Sequence, residues 1–303
     1  MRADLLHVVT CIANPIRWAS RIALFQRFAA HVLAAGAHLT VVECAYGDRP
    51  FACDAVAGAA HIGVRARTML WVKENLLNIG IARLPQDWKY VAWIDADITF
   101  RHPDWAAETV HALQLYDIVQ PWSDCYDLGP NGEHLQAYRS FCRQYVDNRP
   151  LGPNCYPFAH PGYAWAATRQ ALEYVGGLID TAVLGAADHH MAMALAARVR
   201  ESVPGQISDG YLRPLLQWQG RAQQHIAGNV GYVPGTIEHS WHGAKERRAY
   251  VDRWNILVRN QFDPALDLKR NVWGVWELAG NKPRLRREID TYFHARNEDA
   301  NTL

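Results

Sequence analysis

The sequence carries almost no net charge: 31 Lys and Arg stand against 30 Asp and Glu, a formal +1. No global field therefore draws the chain to nucleic acid or an anionic membrane. Its six cysteines (Cys11, Cys44, Cys53, Cys125, Cys142, Cys155) never fall at C-x-x-C spacing, which argues against a zinc ribbon or a dense disulfide framework and reads them as packing thiols. No apolar run approaches the roughly 20 residues of a membrane span. The N-terminal "MRADLLHVVTCIANP" is too short and too interrupted in its apolar part for a signal peptide, so the expectation is a cytoplasmic chain. Internal repeats, low-complexity tracts and obvious linkers are absent as well.

What is present is a large apolar fraction, 50% of 303 residues, ample for a sizeable core. "LLHVVTCIA" reads as a buried strand, and the helix that starts near Ser20 closes at Gly36. "HLTVVECAYG" reads as a second strand, "KENLLNIGIARL" as a helix, and "KYVAWIDAD" as a third strand. This β-α-β-α-β order predicts an α/β fold: a mostly parallel sheet flanked by helices. Residues 126–156 are turn-rich and read as a long functional loop, a candidate lid. The expected organisation is one catalytic domain over residues 1–250 and a C-terminal helical extension over 251–303.

In a parallel sheet ligands bind beyond the carboxyl ends of the strands, and there "WIDADITF" places Asp95 and Asp97. On an extended strand both carboxylates point to one side. Their repulsion is relieved by a proton or by a cation, and an oxygen-loving Mg²⁺ or Mn²⁺ ion holding a diphosphate suits such a pair. The plain alternative is a turn cap before "RHPDW". Asp188, in "GAADHHMAMAL", reads equally as a helix N-cap or as a general base. "IEHSWHGAKERRAY" adds His239 and His242, either of which can complete a carboxylate-bound metal shell, and Lys245, which can neutralise phosphate. Arg248 in the same stretch reads as the solvated face of a helix. Arg17 and Arg21, after the first strand, stand where a helix start and cationic side chains make an anion or nucleotide site.

Taken in order, these stretches resemble the GT-A glycosyltransferases, and most closely the inverting β-1,4-galactosyltransferase-like branch. "ENLLNIGIARLPQDWKYVAWIDADITF" resembles that branch's helix, strand and D-x-D. "HPGYAWAATRQALEYVGGLIDTAVLGAADHHMAMALAARV" resembles its central block, and "IEHSWHGAK" its late histidine segment, so the similarity spans residues 8–250. The resemblance implies a GT-A (Rossmann-like) fold, Mn²⁺ or Mg²⁺ as cofactor, and a nucleotide-sugar donor, UDP-linked. It implies metal ligands at Asp95 and Asp97, Asp97 the more direct, and at His239 or His242, with Asp188 as catalytic base. Arg17, Arg21, Asn78, Asp95, Gly162 and Lys245 are implied as donor-binding residues.

The sequence departs from the family pattern where the acceptor sugar is held: Ala187, His189 and Leu184 replace a glutamate, an aspartate and a tryptophan. Pro161-Gly162 replaces the paired glycines of the donor strand. The implied acceptor is an unidentified hydroxyl on a glycan, a lipid-linked sugar, a protein or a modified base. Two rival expectations are a DHH-type manganese phosphoesterase, from Asp188-His189-His190, and a sugar-nucleotide-binding module without turnover.

Overall fold

The computed structural model describes residues 2–53, 56–152, 159–244, 248–249 and 251–300. Lys245 and Cys155 lie outside the described residues. In chain order the elements begin β1 (Leu6–Ala13), α1 (Ala19–Ala34), β2 (His38–Tyr46), β3 (Ala59–Ala66), α2 (Lys73–Ile81) and β4 (Tyr90–Ile94). They continue with β5 (Ile98–Phe100), α3 (Trp105–Ala112), β6 (Ile118–Gln120), β7 (Asp124–Leu128), β8 (His134–Arg139), α4 (Phe141–Val146) and β9 (Ala164–Thr168). Then come α5 (Arg169–Val175), α6 (Ala187–Leu195), α7 (Asp209–His225), β10 (Val230–Tyr232) and β11 (Thr236–His239). The chain closes with α8 (Arg253–Arg259), α9 (Pro264–Asp267), β12 (Leu268–Arg270), β13 (Trp276–Leu278) and α10 (Pro283–Ala295).

A seven-stranded sheet runs β10-β6-β9-β4-β1-β2-β3, and four of its six pairings are parallel. The near-continuous apolar runs of β1, β2 and β4 are what a sheet buried on both faces requires. Val9, Val42 and Val91 enter one hydrophobic cluster, and Val8, Val41 and Ala92 enter the other. Strand β9 is the exception, antiparallel to both β4 and β6. It brings Gly162 and Tyr163 back to the carboxyl end of β4, where the Asp95 N–H donates to the Tyr163 carbonyl at 2.8 Å.

A second sheet, β5-β11-β7-β8, takes up much of the stretch read as a loop, whose residues 153–156 lie outside the described residues. Residues 126–152 form most of a β7–β8 hairpin and α4, with Tyr138, Phe141 and Cys142 buried. Strand β7, before the turn "LGPNG", alternates buried and half-buried residues, while β8 after it is exposed except at Tyr138, a pattern easily read as loop when turn residues dominate its composition. The C-terminal region is helical only in part, because β12 and β13 pair as a hairpin. Phe262, Val275, Leu285 and Phe293 from this region join the same core cluster as Val9 of β1. No helix among the described residues is long and apolar enough to cross a membrane.

His190 belongs to this core. Its Nδ1 lies 2.7 Å from Ser202 Oγ and its Nε2 2.9 Å from Tyr211 OH, and burial drives its pKa down to about 3. The folded chain therefore holds it neutral while the unfolded chain takes a proton near pH 6.5, so stability falls as pH drops through that window. The parent is expected to lose roughly 1.5 kcal/mol more than His190→Gln between pH 6.5 and 5, measured by urea unfolding. Parallel profiles for the two proteins would count against this assignment.

Candidate active site

The loop after β4 does not continue the strand. It turns at Asp95-Ala96-Asp97, and the Ile98 N–H donates back to the Asp95 carbonyl. The turn gives the two carboxylates different partners, and Asp95 is not in the cation cluster. Each still feels the other: burial raises Asp95, Lys73 pulls it down, and the Asp97 charge raises it again. Asp95 Oδ1 takes the Lys73 ammonium at 2.8 Å. Asp97 joins His239 and His242.

The register of the second sheet brings Asp97 and the histidines together. Strand β11 pairs with β5, setting His239 opposite Ile98, and with β7, setting His239 opposite Asp127. The Ser240 N–H then donates to the Asp97 carbonyl at 2.9 Å and fixes the chain leading to His242. Three ligand atoms converge: His242 Nε2 is 3.0 Å from Asp97 Oδ2, His239 Nε2 is 3.6 Å from the same oxygen, and the two Nε2 atoms are 3.2 Å apart. Metal bonds of about 2.1 Å would set neighbouring ligand atoms roughly 3.0 Å apart in an octahedron and 3.4 Å in a tetrahedron. The triangle fits one face of either. Asp97 Oδ1 is buried with no hydrogen-bond partner among the described residues, a carboxylate oxygen of the kind a cation satisfies. The residues present therefore fit Mn²⁺; two imidazoles beside one carboxylate suit Mg²⁺, which favours oxygen ligands, less well.

Electrostatics agree with the geometry. Burial alone would lower His239, but Asp97 and Asp127 overcome it and hold the imidazole at about 9. Burial would raise Asp97, but His239 and His242 hold it well below the ordinary carboxylate range. A proton on His239 thus supplies the positive charge that this carboxylate cluster calls for.

Both groups line a cavity of about 440 Å³ that also reaches Lys73, Asp95, Gly162 and Asp188. Asp188 is not the N-cap. That position belongs to Ala186, whose φ of 85° follows Gly185 at 92°. This left-handed pair aims the start of α6 into the cavity, and a non-glycine residue held there is the kind of strain that collects at functional sites. Asp188 Oδ1 accepts from the His189 N–H at 2.8 Å. Burial pushes its pKa up, yet Lys73, His160 and that N–H bring it below its ordinary value, so it is ionised at neutral pH. Gly162 is packed close to it: a Cβ there would meet Asp188 Oδ2 and His160 Cε1 at 2.9 Å.

Other expected residues are placed differently. Arg21 lines the cavity, but its fork is taken by Glu298, with Nε 2.6 Å from Oε2 and Nη2 2.8 Å from Oε1. Arg17 is exposed at φ 71° and outside the cavity lining, because the chain bends at Asn14–Arg17 before α1 begins. Asn78 clamps the Leu178 backbone through both its amide atoms, each at 2.9 Å, and has no part in the lining. Arg248 corrects the expectation of a solvated face: it is buried, with Nη2 3.2 Å from His242 Nε2.

Lys73, Asp127 and Glu74 were not legible as site residues. Lys73 faces Asp95 and adds its charge to the field at Asp188. Glu74 lies 3.8 Å from the Lys73 ammonium, and burial raises it to about 7 against the pull of Lys73. Asp127 backs His239 at 2.7 Å. An aspartate two residues after a cysteine in a strand-like alternation was the one available signal for it.

No protein-family model matches the chain, and no curated protein sequence matches it. Among solved structures it is similar to a Drosophila β-1,4-galactosyltransferase 7 crystallised with manganese, UDP-Gal and xylobiose. The identity is 14% and the TM-score 0.35, over 65% of this chain and 61% of that one. A glucosyl-3-phosphoglycerate synthase from Mycobacterium tuberculosis, in complex with Mn²⁺, UDP and phosphoglyceric acid, is similar at 13% identity and a TM-score of 0.41, over 84% and 75% of the two chains. A 4-diphosphocytidyl-2C-methyl-D-erythritol synthase from Anaerococcus prevotii is similar at 10% identity and a TM-score of 0.36, over 77% and 90%. The chain spans less of the galactosyltransferase, 61%, than of either of the others. Its neighbours in chain path include GT-A nucleotide-diphospho-sugar transferases.

Proposed function

We propose that this chain is a metal-dependent, inverting glycosyltransferase that moves a sugar from a nucleotide diphosphate, UDP-linked, to an acceptor hydroxyl. One observation carries the reading: a single cavity holds a carboxylate–bis-imidazole cation cluster and, beyond Lys73, a separate ionised carboxylate at a helix start. Asp97, His239 and His242 would hold the ion, which when bound neutralises charge on the departing diphosphate as a Lewis acid. Arg248, Arg253 and Arg296 also line the cavity and offer guanidinium donors to phosphate oxygens. Lys245 is proposed for the same role from the sequence alone.

Asp188 accepts the proton of the acceptor hydroxyl as that oxygen bonds to the anomeric carbon. The bond from that carbon to the diphosphate breaks, and its electron pair leaves with the phosphate oxygen. A single displacement of this kind inverts the anomeric centre and needs one base. The phosphoesterase reading is disfavoured because one of its two histidines parts from the aspartate: Asp188 lines the cavity, while His190 points into the core at Ser202 and Tyr211.

The test is a nucleotide-sugar panel with Mn²⁺ or Mg²⁺, scored by thermal shift and by slow donor hydrolysis. At a hundredfold excess over Kd, ligand linkage of about 2.7 kcal/mol raises the unfolding temperature by several degrees. One UDP-sugar is expected to do this only with metal, and not in Asp97→Ala. Silence from every nucleotide sugar would remove the transferase reading, and phosphodiester hydrolysis would replace it.

A further inference from the structure

Each imidazole of the cation cluster has a carboxylate behind it. His239 Nδ1 lies 2.7 Å from Asp127 Oδ1, and His242 Nδ1 lies 3.7 Å from Glu298 Oε2. The first carboxylate arrives through strand pairing. The second comes from the segment after α10, which the family resemblance does not reach.

That segment is fastened to the site at several points. The Glu298 carboxylate is 1% exposed and bonded by Arg21 and by Arg296 Nε at 2.7 Å. Asp299 accepts from the N–H groups of Ala19 and Ser20, both at 2.9 Å, and so docks on the first turn of α1. Trp241, between the two histidines, donates its indole N–H to the Ala300 carbonyl at 2.8 Å. Gly243 has a φ of +88°, and a Cβ there would meet the Asn297 carbonyl oxygen and Glu298 Cα at 3.0 Å. The turn after His242 and the segment are therefore in backbone contact.

We infer that Glu298 is a positioning residue of the metal centre, resting on the reading that Asp97, His239 and His242 hold a divalent cation. A carboxylate facing one ring nitrogen keeps the proton on that nitrogen and leaves the other nitrogen's lone pair for the metal. Facing Nδ1, Glu298 favours the tautomer that leaves the His242 Nε2 lone pair free; without a metal that nitrogen lies 3.0 Å from Asp97 Oδ2 and 3.2 Å from Arg248 Nη2, which also lies 3.5 Å from Nδ1. At 3.7 Å the contact is an ion-pair distance and not yet a hydrogen bond. A cation bound at Nε2 would draw electron density from the ring and make the Nδ1–H a stronger donor to Glu298. The two arginines hold the carboxylate in place for this.

The test is a titration of the intact chain with Mn²⁺ at fixed pH, read by the loss of free-ion EPR signal. Glu298→Gln is expected to weaken binding about tenfold, the lower end of what such outer partners contribute, and Asp127→Asn by at least as much. Asp299→Asn, which loosens the docking but keeps the Glu298 carboxylate, is expected to bind as the parent does. Equal affinity in Glu298→Gln and the parent overturns the inference alone. So does equal weakening in Asp299→Asn, since docking would then explain everything. A parent that binds no Mn²⁺ overturns the cation reading and the inference together. Should Glu298→Gln fail to fold by circular dichroism, crystals of the intact chain soaked in Mn²⁺ decide. Glu298 within hydrogen-bond reach of His242 Nδ1 supports the inference, and a separation beyond about 4 Å overturns it.

Discussion

Asp97→Asn is expected to weaken Mn²⁺ binding by a hundredfold or more, while Asp95→Asn leaves it within a few-fold of the parent. The two aspartates are one residue apart, so the contrast rests on where the turn sends them. Asp97 is the one carboxylate in the cation cluster among the described residues, whereas Asp95 is held by the Lys73 ammonium at 2.8 Å. Removing the Asp97 charge leaves two imidazoles to hold the ion. A hundredfold loss corresponds to about 2.7 kcal/mol, modest for an anionic ligand facing a divalent cation in a buried site.

The substitution also has a consequence without metal. Asp97 is held well below the ordinary carboxylate range by the two histidines, against the effect of burial. Its charge therefore stabilises the fold at all pH values above its unfolded pKa, and that contribution is lost as pH falls through the folded value. Asp97→Asn should accordingly unfold at lower temperature at pH 7 even in a chelator. EPR titration and thermal unfolding of the two variants check both halves. Equal Mn²⁺ affinities for Asp97→Asn and Asp95→Asn would mean that the pair acts as a unit and that the turn does not separate them.

This turn also shows where sequence reading stopped. The apolar runs of β1, β2 and β4 announce a buried parallel sheet, and the position of Asp97 beyond the last of them follows from chain order. Whether the chain stays extended for two more residues depends on tertiary contacts, namely the Tyr163 carbonyl that takes the Asp95 N–H and the Lys73 ammonium beside it. Asp188 and both histidines stand out by residue type and line the cavity with Asp97.

Arg17 and Asn78 stand near a strand end and within a helix. Such positions do not specify direction: Arg17 faces solvent, and Asn78 clamps a backbone 100 residues away. Asp127 was hidden because "DCYDLGPNG" mixes strand alternation with turn chemistry. Glu298 was out of reach altogether. Its partner Arg21 lies 277 residues earlier, and no local periodicity records a contact of that range.

Asp188→Asn carries the second large effect, on turnover and not on metal. On the proposed mechanism it is expected to lower kcat by about 10²–10⁴, the usual contribution of a positioned general base, with donor affinity within a few-fold of the parent. The near-isosteric amide keeps an acceptor for the His189 N–H, so the start of α6 should stay in place. Only the capacity to take a proton is removed. The pH profile adds a check specific to this carboxylate. Lys73, His160 and the His189 N–H outweigh burial and bring its pKa below the ordinary value, so the base form persists through pH 5. Any loss of rate between pH 8 and 6 must then come from other groups. A proton competes with the cation at His239, which its carboxylates hold at about 9, and Glu74, raised by burial to about 7 beside Lys73, is a cavity carboxylate that changes charge in the same range. Initial rates at saturating donor, with donor binding measured separately, test both statements. If Asp188→Asn keeps its rate within about fivefold of the parent, a general-base role of the size expected here is excluded, and proton removal falls to solvent or to Glu74. An acid limb that lies below the ordinary carboxylate range and vanishes in Asp188→Asn would instead tie it directly to this residue.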